Sequence, residues 1–434
     1  MKVCILTYGC QMNVHDSEVI KNKLHQLGYS FTDDTEQSDM ILIVSCCVRE
    51  SAEKRIYGRI NYFKKLKYKN PSLIIGLMGC LAQKDKKEVF KNAPHIDFAL
   101  GPQEIGSLEN MILSVKAGKR SVGDFKEREF IVSGDRVIPD NHYVGWISIM
   151  KGCDNYCSYC IVPYVRGHEV SKPFEYIVDE MKYLSSLGIK DVTLLGQNVN
   201  SYGKGLEENI DFTKLLSKID KLNIIPRIRF MTSHPKDMDI SLIDVIGKGK
   251  NLCEHIHLPV QAGSNRVLKE MNRKYDIETY LKKIEYIKKT LKGYAITSDI
   301  IVGFPGEKEE DFEKTIELVK KVRYDAVHTF VYSKRSGTKA AEMSETVPEE
   351  TKQRWIKKLI DVQNPISLEI NQSLEGKEFE VYFEGFDNKG ENLKGRTRNN
   401  KIVVVKKKDE TLLGEFRQVR ITQGQHWCLM GELL

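Results

Sequence analysis

Residues 139–368 contain six short apolar segments that alternate with helical stretches. This repeat constrains the fold strongly, because apolar strands that alternate with helices form a parallel sheet with helices packed against it. Units of this length predict an α/β barrel with six strands instead of eight, and the catalytic groups of such barrels lie at the carboxyl ends of the strands. The predicted strands are 146–150, 192–197, 229–232, 256–260, 297–302 and 328–332.

Residues 1–118 show the same alternation and predict a separate α/β domain with a parallel sheet. Its strands are predicted at 3–8, 40–45, 73–78 and 98–100. Cys10, Cys46 and Cys80 each follow one of the first three strands, so they fall on the same edge of this sheet. Three thiols at one edge are a potential metal site. The alternative, that they are small core residues as free cysteines often are, stays open on spacing alone.

A tighter group of cysteines follows the first strand of the predicted barrel. Cys153, Cys157 and Cys160 have the spacing C-x3-C-x2-C. Three thiolates can hold three irons of a [4Fe-4S] cluster and leave the fourth iron open, whereas a cluster with four cysteines mainly carries electrons. A structural zinc site would normally have four ligands, and His168 lies outside the usual spacing. A disulfide would require an oxidising compartment.

The triplet has an aromatic residue just before its last cysteine and resembles that of the radical S-adenosylmethionine (SAM) enzymes. In those enzymes the open iron binds SAM. Polar residues at the ends of the next two strands would lie at the same mouth of the barrel. We therefore predict SAM contacts at Gly196 and Gln197 after the second strand, and at Thr232 and Ser233 after the third.

Residues 369–434 differ in character, because short β-rich segments are separated by glycines. This pattern predicts a small antiparallel β-barrel. Residues 394–408 carry seven basic residues and no acidic one. A charge run is usually a solvated surface, but on a small β-barrel attached to an enzyme it also suits contact with RNA phosphates. We predict that Arg396, Arg398 and Lys401 bind RNA.

Length and composition limit the remaining choices. A chain of 434 residues with 41% hydrophobic and 29% charged residues predicts two or three globular domains. No apolar stretch approaches the roughly 18 residues that a membrane span needs, which predicts no membrane partner. Ten cysteines without a signal peptide indicate a reducing cytoplasm and metal binding. The net charge of +7 permits a polyanionic partner without proving one.

With these residues placed, the chain resembles the methylthiotransferases along nearly its whole length. That family has an N-terminal three-cysteine domain, a radical SAM barrel and a C-terminal TRAM domain, which implies domains at 1–118, 139–368 and 369–434. The stretches that carry the resemblance are 8–13, 15–18, 46–50, 79–83, 195–203, 257–261 and 299–306.

The resemblance implies two [4Fe-4S] clusters, one on Cys153, Cys157 and Cys160 and one on Cys10, Cys46 and Cys80. Cys46 is chosen over Cys47 because the family has its cysteine three residues before Arg49, and Cys47 would be the substitute ligand if Cys46 were lost. Three roles are open for Arg49: it tunes the second cluster, contacts the substrate, or forms a surface salt bridge. The other three cysteines match no cluster motif and read as core thiols; they are Cys4, Cys253 and Cys428.

The implied reaction is methylthiolation of carbon 2 of N6-isopentenyladenosine beside the tRNA anticodon. This C–H bond is unactivated, so the reaction needs the radical that SAM cleavage supplies, and the second cluster holds the sulfur. The implied partners are SAM, the anticodon stem-loop of tRNA and an electron donor such as flavodoxin or ferredoxin. The protein is expected to be a cytoplasmic monomer.

Two other readings stay open. Related methylthiotransferases act on threonylcarbamoyl-adenosine in tRNA or on an aspartate of a ribosomal protein, and both clusters are common to all of them. The stretches at 9–13 and 196–203 and the basic run favour the isopentenyl substrate. A non-catalytic iron–sulfur electron carrier with an RNA-binding tail is the alternative of another class, and the open-iron spacing argues against it.

Overall fold

The computed structural model describes residues 1–47, 50–125, 137–207 and 209–434. Within these ranges, no helix combines the length and the apolar character that crossing a bilayer demands. The chain forms three sheet-based units in sequence order. The first two are α/β units and the last is a closed β-barrel, so the predicted α/β class and its three-part architecture are confirmed.

The first unit is a six-stranded parallel sheet in the order β2-β1-β3-β4-β5-β6. Its central strands are buried along their whole length, since helices cover both faces. The short strands β2 and β6 at the two edges were not predicted. The strands are β1 Lys2–Tyr8, β2 Ser30–Phe31, β3 Met40–Ser45, β4 Ile74–Gly79, β5 Phe98–Leu100 and β6 Ser121–Val122; the helices are α1 Gln11–Gln26, α2 Glu50–Lys69, α3 Cys80–Asp85, α4 Val89–Asn92 and α5 Leu108–Lys116.

The second unit is the six-stranded barrel, built as two three-stranded parallel sheets, β11-β10-β7 and β12-β13-β14. Each predicted strand lies within about three residues of an observed one. The strands are β7 Val144–Ser148, β10 Asp191–Leu195, β11 Arg227–Phe230, β12 His255–His257, β13 Ala295–Val302 and β14 Ala326–Val331, with a separate antiparallel pair of β8 Met150–Lys151 and β9 Val170–Ser171. The helices are α6 Val162–Arg166, α7 Phe174–Ser186, α8 Phe212–Leu222, α9 Ile240–Lys248, α10 Asn265–Glu270, α11 Ile277–Thr290, α12 Glu309–Val322 and α13 Glu349–Gln372.

The third unit is a closed five-stranded barrel in the order β15-β16-β17-β19-β18. Its strands are β15 Glu378–Phe386, β16 Leu393–Arg396, β17 Ile402–Val405, β18 Phe416–Gly424 and β19 Leu429–Leu433. Strand β16 was not predicted, because its residues were read only as part of the basic run. Leu393 and Gly395 are buried and face the barrel core, while Lys394 and Arg396 are half-buried and face the surface.

This small barrel packs against the amino ends of the strands of the second unit. Arg227, the first residue of β11, donates to the backbone oxygens of Arg396 and Glu380. Asn399 donates to the oxygen of Gly293, just before β13. The Tyr382 hydroxyl donates to the oxygen of Tyr143, just before β7. The carboxyl ends of the same strands therefore remain on the opposite side.

Candidate functional site

Cys153, Cys157 and Cys160 lie in the loop between β8 and α6, at the carboxyl end of β7. Two backbone hydrogen bonds hold the loop. The N–H of Cys153 donates to the oxygen of Gly167 at 3.1 Å, and the N–H of Cys160 donates to the oxygen of Cys157 at 2.9 Å. Gly152 has φ of +77°, and a Cβ there would lie 1.8 Å from the oxygen of His168. Only glycine fits at this turn into the loop.

The three thiols differ in their surroundings. Arg273 Nη1 lies 3.4 Å from Cys157 Sγ, and Asn155 Nδ2 lies 3.6 Å from Cys153 Sγ. Burial raises the pKa of Cys153 to about 11 and that of Cys160 to about 12. A bound metal would reverse this, because it stabilises the thiolate form directly.

The predicted SAM contacts lie around this loop at the ends of β10 and β11. Gln197 Oε1 accepts a bond from the backbone N–H of Gly152 at 2.6 Å, which ties the end of β10 to the cysteine loop. Gly196 packs on Met150, next to the same loop. Thr232 is exposed and has φ of +70°. Such a backbone angle is costly for a β-branched residue and is found mainly at functional sites.

Several polar atoms at these strand ends are buried and have no hydrogen-bond partner in the described part of the chain. They are Asn198 Oδ1, Asn200 Nδ2, Ser233 Oγ and His234 Nε2. Buried polar groups are almost always paired, so this set fits a polar ligand. Ser233 was predicted. Asn198, Asn200 and His234 were missed, although each lies within three residues of a predicted contact.

Cys10, Cys46 and Cys80 follow β1, β3 and β4, which are adjacent in the first sheet, so the three lie along its carboxyl edge. A hydrogen bond from Cys46 lowers the pKa of Cys10 to about 6, and one from Cys47 lowers that of Cys80 to about 7. A Cβ on Gly9 would lie 2.6 Å from Cys46 Cβ. Arg49 lies outside the described residues.

Arg166 connects the two groups of cysteines. It is the last residue of α6, six positions after Cys160, and is buried. Its Nε donates to Cys80 Sγ at 3.3 Å, and its Nη2 is paired with Asp16 of α1 at 2.7 Å. The barrel therefore places one fixed positive charge at the cysteine edge of the first sheet. No local pattern predicts this contact, because Arg166 and Asp16 are 150 positions apart.

The donor atoms of both groups suit iron–sulfur clusters. No three His, Cys, Asp or Glu side chains among the described residues converge closely enough to hold one metal ion. In a [4Fe-4S] cluster three thiolates can hold three irons and leave the fourth iron open. Both groups consist of three thiols, and one sulfur in each is contacted by a buried arginine that balances thiolate charge.

The predicted RNA-binding residues are bound within the protein. Arg396 is paired with Glu384 at 2.9 Å, Arg398 with Glu254 at 2.8 Å, and Lys401 with Asp325 at 2.6 Å. Glu254 and Asp325 precede β12 and β14, so Arg398 and Lys401 fasten the small barrel to the larger one. Their contact with RNA stays a prediction, and it would require these ion pairs to be exchanged for phosphates.

We expect Lys401→Ala to lower the free energy of unfolding by about 3 kcal/mol, because it leaves a buried carboxylate unpaired. The side chains of Lys401 and Asp325 are only 10% and 11% exposed. Thermal unfolding measures the loss, and Lys408→Ala, an exposed lysine of the same run, is the matched control. If Lys401→Ala weakened RNA binding and left the free energy of unfolding unchanged, the main role of Lys401 would be RNA binding.

Family models match each unit of the chain. Residues 2–101 match the uncharacterized protein family UPF0004, residues 147–319 the radical SAM superfamily, and residues 372–434 the TRAM domain. Among solved structures, the radical SAM methyltransferase TsrM from Kitasatospora setae is similar, with a TM-score of 0.57 and 12% identity. The similarity covers 78% of this chain and 75% of that one, and it supports the fold alone.

Full-length relatives are much closer in sequence. A tRNA-2-methylthio-N(6)-dimethylallyladenosine synthase from Thermoanaerobacter pseudethanolicus is 47% identical over 434 residues, covering 99% of this chain and 92% of the relative. One of the same name from Carboxydothermus hydrogenoformans is 46% identical, covering 99% and 98%. The predicted family is thereby confirmed. The chain belongs to the tRNA-2-methylthio-N6-dimethylallyladenosine synthases, which are radical SAM methylthiotransferases.

Proposed function

We propose that this protein methylthiolates carbon 2 of N6-isopentenyladenosine beside the anticodon of tRNA, with SAM and two [4Fe-4S] clusters. The observation that carries the proposal is Arg166, which ends the helix directly after one cysteine triplet and contacts a thiol of the other. An enzyme that both opens a C–H bond and inserts sulfur needs its two centres near one substrate atom. The named relatives of nearly equal length support the same substrate.

The residues divide into two sets with different tasks. Cys153, Cys157 and Cys160 hold the cluster that binds SAM, and Cys10, Cys46 and Cys80 hold the cluster that carries sulfur. When bound, SAM and its cluster supply the one-electron chemistry that an unactivated C–H bond requires.

Gly196, Gln197, Thr232 and Ser233 line the SAM site in this proposal. Gln197 orients the cysteine loop through its bond to Gly152, at 2.6 Å. Unpaired buried atoms at the end of β11, Ser233 Oγ among them, take up polar groups of SAM. Asp16 and Arg166 form an ion pair that holds α1 of the first unit against α6 of the second.

The further partners are also proposals. The anticodon stem-loop of tRNA is the expected RNA, and flavodoxin or ferredoxin is the expected electron donor. We infer a cytoplasmic location, since both clusters require reduced thiols. We infer a monomer, which light scattering of the reconstituted protein would test.

Mass spectrometry of tRNA nucleosides tests the substrate directly. We expect cells that lack this gene to lose 2-methylthio-N6-isopentenyladenosine and to accumulate the isopentenyl nucleoside. The threonylcarbamoyl-adenosine derivatives are the internal control and should not change. Restoring the gene should restore the modification. Loss of a methylthio group from threonylcarbamoyl-adenosine would assign the chain to the alternative tRNA substrate.

A further inference from the structure

The solvent face of α2 is strongly basic. Between positions 53 and 70 the only acidic residue is Glu53, and it is bound by Lys84 at 2.6 Å and by Arg335 at 3.2 Å. The exposed cations of this helix are Lys54, Arg55, Arg59, Lys64, Lys65 and Lys69. Tyr62 and Tyr68 lie among them and are 41% and 86% exposed. We call this surface the α2 face.

The helix geometry places these charges on one side. Ile56, Ile60 and Phe63 are buried in the core of the first unit, and their spacing of three and four residues defines the inner stripe. Lys67 also turns inward, where it is paired with Asp97 at 2.6 Å. The remaining cations therefore share the outer side of a helix about 30 Å long.

Four cations of the α2 face have no acidic partner in the part of the chain that the structure describes. Within the described residues, Arg55, Lys64, Lys65 and Lys69 form no ion pair with an acidic side chain. Arg59 lies over the ring of Tyr62 at 5.2 Å. Like charges on neighbouring turns repel each other, so an anionic partner would stabilise this surface.

The α2 face adjoins the cysteine edge of the first sheet. Helix α2 begins three residues after Cys47, and the pair between Glu53 and Arg335 fixes its first turns to the barrel. The helix then runs back from this edge along the outside of the unit. This geometry allows an RNA with one base near the cysteines to extend its stem over α2.

We propose that the α2 face binds the phosphate backbone of the tRNA stem. The proposal rests on tRNA being the substrate, as proposed above. The cations supply charge, and the hydroxyls of Tyr62 and Tyr68 can donate to phosphate oxygens. Phosphate contact suits a helix face with no acidic residue between positions 54 and 70, since A-form RNA offers side chains few base edges. In contrast, four of the seven basic residues in the run of the small barrel are engaged in ion pairs.

The test compares two triple variants of the full-length reconstituted protein. One removes three charges from the α2 face, Lys64→Ala with Lys65→Ala and Lys69→Ala. The matched control removes three exposed lysines from α11 and α12, Lys282→Ala with Lys289→Ala and Lys320→Ala. The probe is an unmodified tRNA transcript, and its affinity is measured by fluorescence anisotropy over a range of salt concentrations. Thermal unfolding and iron content show whether both variants are folded.

We expect the α2 variant to bind the transcript roughly tenfold more weakly, with a slope of log affinity against log salt that is lower by about 2 to 3. The control should keep both within about twofold. Equal losses in the two variants would mean a general charge effect and would overturn the proposal. Unchanged affinity and slope would also overturn it and would leave an acidic protein as the partner of this face. Failure of the wild-type protein to bind tRNA would instead count against the proposed function.

Discussion

Cys157→Ala is expected to abolish release of 5′-deoxyadenosine from SAM, a loss of more than about a hundredfold. Mutating even a residue that only supports a metal ligand costs 10- to 100-fold, and Cys157 is proposed as a ligand itself. The substitution also leaves the buried guanidinium of Arg273, now 3.4 Å from the sulfur, without its thiolate. Liquid chromatography of anaerobic reactions with dithionite measures the product, and iron analysis should show about half the wild-type content.

Cys253→Ala is the matched control for this variant. Cys253 is also a buried thiol of the second unit, but it precedes β12 and so lies at the end of the barrel away from the cysteine triplet. It should retain full SAM cleavage. If Cys157→Ala released 5′-deoxyadenosine at the wild-type rate, the assignment of the triplet to SAM chemistry would be wrong.

Cys80→Ala should separate the two halves of the reaction. We expect SAM cleavage to persist, because Cys153, Cys157 and Cys160 are unchanged, while sulfur insertion falls by more than about a hundredfold. Cys80 is 4% exposed and accepts a hydrogen bond from Arg166. Its replacement therefore removes the sulfur whose thiolate form the guanidinium of Arg166 stabilises. The two readouts are 5′-deoxyadenosine and the methylthio nucleoside, measured from the same reaction.

Cys4→Ala is the control for this second variant, since Cys4 is a buried thiol within β1 of the same sheet, six residues before Cys10. It should support both readouts. If Cys80→Ala still formed methylthiolated product, Cys47 would be the third ligand in its place. Cys47 and Cys80 share a side-chain hydrogen bond, so the sulfur of Cys47 lies close to the position that Cys80 would leave.

Periodicity was sufficient for the parts of the fold that are buried. The central strands β3 and β4 are apolar at every position, so their sequence could hardly form anything else in an α/β unit. Once these strands were placed, Cys10, Cys46 and Cys80 had to share one edge. The two edge strands β2 and β6 have only two residues each, too few for any periodic signal.

Contacts between distant segments could not be predicted in this way. Arg166 and Asp16 are individually ordinary residues, and only the packing of α6 against the first unit shows that they meet. The basic run shows the same limit. Its charges suggested a free surface, yet Arg398 and Lys401 find acidic partners more than 70 positions earlier in the chain. A single sequence records which charges exist but not which of them neutralise one another.

The small barrel is attached at the amino ends of the strands of the second unit, and the cysteines lie at their carboxyl ends. The distance between these two ends limits which RNA can reach both. The strands between the two ends have three to eight residues, and the longest of them spans about 26 Å. A short hairpin could therefore reach the cysteines without touching the C-terminal barrel. Only an RNA long enough to pass along the outside of the enzyme could contact both, which would favour an intact tRNA over its isolated loop.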